Sequence, residues 1–250
     1  MRNKIDILDA CIEDVLSDIS SESVSVYDGI KEEIDFWLSG GTPLSVNPCI
    51  LPNGFYKVQT ANKYTLHDIV ETVVRTYGNK CNLNWLDVSN VEYMSGLFSS
   101  IRIDFQGDIS RWNVSSVKDM SEMFYGSHFN GDISRWDVSS VTNMENMFAL
   151  AWFNRDISKW NIKNVEKMSF MFAAAQFNQD ISRWNVREVD DLRYMFYANS
   201  EFNHDLSKWR IQATADREKM FEGCQLKKKF RPKVMRIRNL RIENGRLKSS

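Results

Sequence analysis

The chain has 250 residues, 43% of them hydrophobic, enough for one large domain or two small ones with a sizeable core. Its formal net charge of −1 hides an asymmetry: residues 1–222 carry 22 Lys/Arg against 32 Asp/Glu, while residues 223–250 carry 10 against one, so an acidic body ends in a basic tail. Four scattered cysteines (Cys11, Cys49, Cys81, Cys224) without a CxxC pair read as free thiols rather than a zinc framework, and no apolar run approaches the ~18 residues of a membrane span.

From the N-terminus, KIDILDACIEDVLSDI carries a helical stripe of Ile5, Leu8, Ile12, Leu16 and Ile19. Its charges Asp6, Asp9, Glu13 and Asp14 exclude a secretory apolar core, so the expected location is cytoplasmic or intracellular, with a virion or a non-classical export route as alternatives. SVYDGIKEEIDFWLSGG predicts a second helix stopped by Gly40 and Gly41, and Pro43, Pro48 and Pro52 predict a loop through Gly54. TLHDIVETVVRTYG predicts a third helix. Thr65 and Asp68 form its capping-box pattern, and Leu66, Ile69, Val70, Val73 and Val74 its buried face. Residues 1–80 thus form a mainly helical N-terminal cap or a separate docking region.

A repeat follows over residues 81–224. Trp112, Trp136, Trp160, Trp184 and Trp209 are spaced 24, 24, 24 and 25 residues apart, and Phe124, Phe148, Phe172, Phe196 and Phe221 keep the same intervals. LNWLDVSNVEYMSGLF (83–98) is a degenerate first unit with Leu86 in the tryptophan column, which makes about six units. In each unit, Ile-x-x-Trp-x-Val predicts a short extended segment with Trp136 and Val138 on one side and Asp137 on the other. Val141, Met144, Met147 and Phe148 predict one face of about two helical turns, with Ser139 or Ser140 as the cap. A unit this small closes a core only by stacking on its copies. The expected fold class is therefore an α/β repeat solenoid, a short strand and a short helix per coil, with phenylalanine and tryptophan ladders.

Two polar columns recur. Asn130, Asn154, Asn178 and Asn203 read as turn staples. Asp108, Asp132, Asp156, Asp180 and Asp205 stand three residues before Arg111, Arg135, Lys159, Arg183 and Lys208. These carboxylates either pair with those cations, accept backbone N–H groups, or form a calcium ladder; one carboxylate per unit is few for an ion that takes six to eight oxygens.

The motif F-N-x-D-I-S-x-W-D/N-V-S-x-V-x-x-M-x-x-M-F resembles the repeat of the BspA-like leucine-rich-repeat surface proteins, also described as the mycoplasma-type surface lipoprotein repeat. The resemblance covers about residues 77–224 and includes a helix ending in Tyr77-Gly78 before the first unit. Leu86, Thr214 and Arg217 depart from the pattern. The resemblance implies a leucine-rich-repeat-like solenoid used for adhesion or protein binding, found in bacteria, some protists, large viruses and phages, with no catalytic residues to carry over.

Distinctive chemistry is expected where the units stop copying one another. The column Glu122, Asn146, Phe170, Tyr194, Lys219 is mostly polar, so Phe170 and Tyr194 read as adjacent exposed aromatics. Trp152, in a column with His128, Gln176 and Glu201, and Tyr197, in a column with Tyr125, Ala149 and Ala173, join them as candidate protein-binding anchors. Lys163 and Arg187 replace serines beside the extended segment and complete the candidate set. Packing against a cap or tail is the competing reading. In the tail (225–250), Lys227, Lys228, Lys229, Arg231, Lys233, Arg236, Arg238 and Arg241 are candidates for electrostatic contact with nucleic acid, an acidic protein or anionic lipid, against the simpler reading of a solvated C-terminal cap; Glu243-Asn244-Gly245 suits a turn. No GxSxG, HExxH or P-loop occurs. A non-catalytic protein-binding or scaffold protein without cofactor or metal is expected, its partner most simply a protein. A virion or phage structural component with a nucleic-acid-contacting tail is the alternative.

Overall fold

The computed structural model describes residues 56–57, 63–84, 86–101, 103–233, 240–243 and 246–249. The first two expected helices, the loop through Gly54, and the side chains of Thr65, Asp68 and Trp85 lie outside the described residues.

Strand β1 (Tyr56–Lys57) is followed by helix α1 (Lys63–Tyr77). The helix opens two residues before Thr65, which therefore stands inside the first turn rather than at its cap. Leu66, Val70 and Val74 are buried, Ile69 and Val73 flank them, and all join the core of the first repeat. Gly78 ends the helix at a φ of +92°, its N–H 2.9 Å from the Val74 carbonyl; a side chain would be strained there. Strand β2 (Leu86–Asp87) then pairs in parallel with β1, Tyr56 opposite Leu86.

From here the repeats stack in parallel. Single-residue bridges join Tyr93 to Asp119, and then Asn143, Lys167, Asp191 and Asp216 in turn. The stretch expected to be helical is a run of β-turns. Met123 and Ser127 donate to the Met120 and Phe124 carbonyls at 3.3 and 3.1 Å, and the third residue of each turn, Glu122 or Gly126, has a φ of 56° or 64°. That is type II geometry. Meanwhile Met120, Glu122, Phe124 and Gly126 donate at 2.8–2.9 Å to the Asn143, Glu145, Met147 and Ala149 carbonyls of the next repeat. An α-helix would spend those N–H groups internally, whereas the turns leave alternate ones to knit the stack. The Met-x-x-Met-Phe spacing suits both, because each turn also directs Met120, Met123 and Phe124 inward.

The segment before it is bent too: Trp136 donates to Ile133 at 3.2 Å and Val141 to Val138 at 3.0 Å. Between those turns the side chains alternate as expected, with Trp136 and Val138 buried and Arg135 and Asp137 exposed. Extended pairing falls instead at the residue before the first methionine, Asn143 in this repeat.

The interior is a set of aromatic ladders. Phe105, Phe129, Phe153, Phe177 and Phe202 stack at 5.9–6.4 Å between centroids. A second ladder, Phe98, Phe124, Phe148, Phe172, Phe196 and Phe221, stacks at 5.4–5.9 Å. The ladders touch within each repeat, Phe172 and Phe177 at 4.0 Å. Each fully buried phenylalanine contributes about 1.5–3 kcal/mol. The tryptophans form a third ladder, in which every indole N–H donates to the preceding repeat: Trp112 to the Leu83 carbonyl at 2.8 Å, and Trp136, Trp160, Trp184 and Trp209 to Ile109, Ile133, Ile157 and Ile181 at 3.1–3.2 Å. A buried indole is thereby satisfied.

Polar ladders run alongside. Asn130 Oδ1 accepts the Asn154 N–H at 3.0 Å, Asn154 the Asn178 N–H at 2.9 Å, and Asn178 the Asn203 N–H at 3.1 Å. The asparagines therefore tie repeat to repeat rather than stapling a turn within one. The aspartates staple locally: Asp132, Asp156 and Asp180 accept the N–H of Ser134, Ser158 and Ser182 at 2.9 Å.

The last repeat is covered by the start of the tail. Leu226 is buried, a 3₁₀ turn spans Lys228–Phe230, and the Phe230 carbonyl accepts the Leu206 N–H at 2.9 Å. Strands β3 (Leu240–Glu243) and β4 (Arg246–Ser249) pair antiparallel, with Glu243 opposite Arg246 and Asn244-Gly245 between them in sequence.

Candidate functional site

The turn run builds the most distinctive surface. The column Glu122, Asn146, Phe170, Tyr194, Lys219 is the third position of the first turn, at φ of 50–56° throughout. Every side chain of the column is exposed or half-buried, which is why the column varies. Phe170 and Tyr194 are half-buried because they cover one another, stacked at 4.5 Å and 4°. Tyr194 is held further by its hydroxyl, 3.2 Å from Glu218 Oε1, by Lys219 Nζ, 5.7 Å from the ring centroid, and by Tyr197, edge-on at 5.5 Å. Tyr197 itself is 37% exposed.

Trp152 stands on an adjoining column, 52% exposed. His128 meets its ring edge-to-face at 4.4 Å, and His128 Nδ1 lies 2.9 Å from Asp104 Oδ1. Trp152 is thus propped rather than loose. Leu150, 50% exposed at a φ of 59°, extends the apolar surface and was not singled out by the sequence. The available signal was glycine at the equivalent positions, Gly126 and Gly223, since glycine marks a left-handed backbone.

Lys163 and Arg187 are exposed on the segment before the turn run. No hydrogen bond, ion pair or ring contact among the described residues joins them to the aromatic set. Arg187 lies instead in a cleft of about 330 Å³ with Arg183, Lys208 and Arg210.

The tail candidates divide. Lys227, Lys228, Lys229 and Lys233 are exposed. Arg231 is engaged in the cap: its Nε donates to the Leu226 carbonyl at 3.1 Å and its guanidinium lies 5.2 Å from the Phe221 ring centroid. It is better read as a capping residue than as a free contact. Arg241 lies in β3, and Arg236 and Arg238 are outside the described residues.

The aspartate column is chemically quiet. The Ser134, Ser158 and Ser182 backbone N–H groups, and then their hydroxyls, hold Asp132, Asp156 and Asp180 below the usual carboxylate range. Among the described residues no group of three or more His, Cys, Asp or Glu side chains could hold a metal ion, and no helix is long and apolar enough to cross a membrane. Burial pushes the Cys224 thiol up, away from the reactive thiolate.

A family model described as "Mycoplasma protein of unknown function, DUF285" matches residues 68–175 and again 129–233, together more than half of the chain. The two matches overlap, as expected when one model can be laid on a periodic chain in more than one register. No curated protein and no solved structure matches the chain.

Proposed function

Because the chain belongs to the DUF285 family, the family of BspA-like repeat surface proteins, we propose that it is a non-catalytic binding protein: a capped solenoid of leucine-rich-repeat type that holds another protein on its outer turn face. The turn run takes the place of the helix in each coil. The supporting observation is the exposed set Leu150, Trp152 and Tyr197 together with the half-buried stacked pair Phe170 and Tyr194, on or beside the turn runs of successive repeats. Rigid aromatic anchors of low conformational entropy are typical of protein interfaces.

The test uses Phe170→Asn and Tyr194→Asn together, because Asn146 already occupies that column at a φ of 55° and the fold tolerates it. Affinity capture from a lysate of the source, with native and variant chains in parallel, should lose at least one specific partner in the variant. If every captured protein survives both changes, the turn face is not the binding surface.

A further inference from the structure

The cleft at the C-terminal end of the stack has a composition that the repeat pattern does not require. In one repeat Arg183, Asn185 and Arg187 point outward while Trp184 and Val186 point in; in the next, Lys208 and Arg210 point outward around Trp209. These five exposed side chains, with Ser182, Trp184, Val186 and Trp209, line about 330 Å³ of space, and no acidic residue lines it. Four of the five are cationic. The equivalent positions two repeats earlier, Arg135, Asp137, Ser139, Lys159 and Asn161, hold two cations and one acid. Charge therefore gathers where the copying stops: Arg187 replaces a serine, and Arg210 replaces the Asn or Asp of Asn113, Asp137, Asn161 and Asn185.

None of the four cations takes part in any of the ion pairs among the described residues. Asp180 and Asp205 lie near Arg183 and Lys208 but outside the cleft, already committed to the Ser182 and Ser207 N–H groups at 2.9 and 2.8 Å. Four like charges carried on adjacent repeats repel one another. An anion with several oxygens relieves that repulsion, and forked guanidinium groups suit tetrahedral oxyanions in particular. Trp184 and Trp209 line the cleft too, but both are buried, so it lacks the exposed stacking platform expected for nucleobases.

We propose that the cleft formed by Arg183, Arg187, Lys208 and Arg210 is a binding site for a tetrahedral oxyanion, a phosphate or sulfate group. It is separate from the aromatic turn face and does not depend on that reading.

Isothermal titration calorimetry of the full chain with inorganic phosphate, inorganic sulfate and the monoester glycerol 2-phosphate tests it, with sodium chloride at matched ionic strength as reference. The double variant Arg187→Ser, Arg210→Asn restores residues that other repeats carry at these positions, so the stack is kept; circular dichroism checks this. Arg135→Ser removes a cation of the same column outside the cleft. Saturable binding of one ion per chain is expected, weakened about tenfold or more in the double variant and unchanged in Arg135→Ser. Preference for the monoester identifies an esterified ligand, and preference for an inorganic ion a free one; either supports the site. A response no larger than that to sodium chloride, or equal binding by the native chain and the double variant, overturns it.

Discussion

At the scale of single residues, the turn column shows how far side-chain identity and backbone conformation are separated in this chain. Glu122, Asn146, Phe170, Tyr194 and Lys219 share one left-handed conformation, although only Asn146, and Gly96 in the first repeat at a φ of 68°, are residue types that favour it. The left-handed region costs an L-residue roughly 1–2 kcal/mol. The inter-repeat hydrogen bonds outweigh that strain. Glu122→Gly should therefore raise the urea midpoint, the unfolding free energy growing by about 1 kcal/mol less the greater freedom glycine has in the unfolded chain. Glu122→Val should lower it, because a β-branched side chain fits that conformation worst. If glycine lowers the midpoint instead, the turn is not strained.

At the scale of one repeat, the 24-residue interval is broken once after the second unit, between Phe196 and Phe202, and the structure shows how the extra residue is absorbed. Asn199 is fully buried where Ala151 and Ala175 stand in earlier repeats. Its Nδ2 donates to the Phe172 and Phe177 carbonyls at 3.2 and 3.3 Å, and its Oδ1 accepts the Glu201 and Phe202 N–H groups at 3.0 and 2.9 Å. Asn199→Ala should cost on the order of 3 kcal/mol in chemical denaturation, since buried backbone groups lose their partners. Deleting Ser200 in the same chain restores the regular spacer and should recover most of the loss; no recovery would mean that Asn199 does more than accommodate the insertion. The sequence made the interval and the buried columns plain, because apolar side chains must recur wherever each repeat covers the next. It left the local conformation ambiguous, since Val141, Met144, Met147 and Phe148 have a spacing that a helix and a run of type II turns both satisfy. The positive φ and the inter-repeat hydrogen bonds distinguish them, and Glu122 or Phe170 carries little sign of either. The exposed aromatics were legible as departures from a polar column. The basic cleft was not, because it depends on neighbours 23–25 residues apart falling side by side.

For the molecule as a whole, stability is spread along ladders, and so is its response to acid. Asp132, Asp156 and Asp180 have carboxyl pKa values lowered by the serine N–H groups that they accept. A group whose pKa is lower in the folded state stabilises the fold above its ordinary value of about 3.9 and loses that contribution as the pH falls through the lowered value. The urea midpoint should thus be level above about pH 5 and fall below about pH 4. Replacing the three aspartates with asparagine keeps an acceptor for each N–H, so the midpoint at neutral pH should change little while the acid limb flattens. An equally steep acid limb in that triple variant would place the sensitivity elsewhere.

The tryptophan ladder also makes the stack an optical object. Trp160 and Trp184 lie parallel within 3° at 6.5 Å, and because their indole N–H groups point to equivalent isoleucine carbonyls one repeat back, Ile133 and Ile157, their in-plane directions agree as well. Excitation absorbed by one ring can pass to the next without turning its axis of polarisation. With Trp37, Trp85 and Trp152 replaced by phenylalanine, emission from the remaining five indoles should keep a high time-resolved anisotropy despite rapid energy transfer. It should depolarise when neighbouring repeats slip out of register, so the core carries its own gauge of alignment.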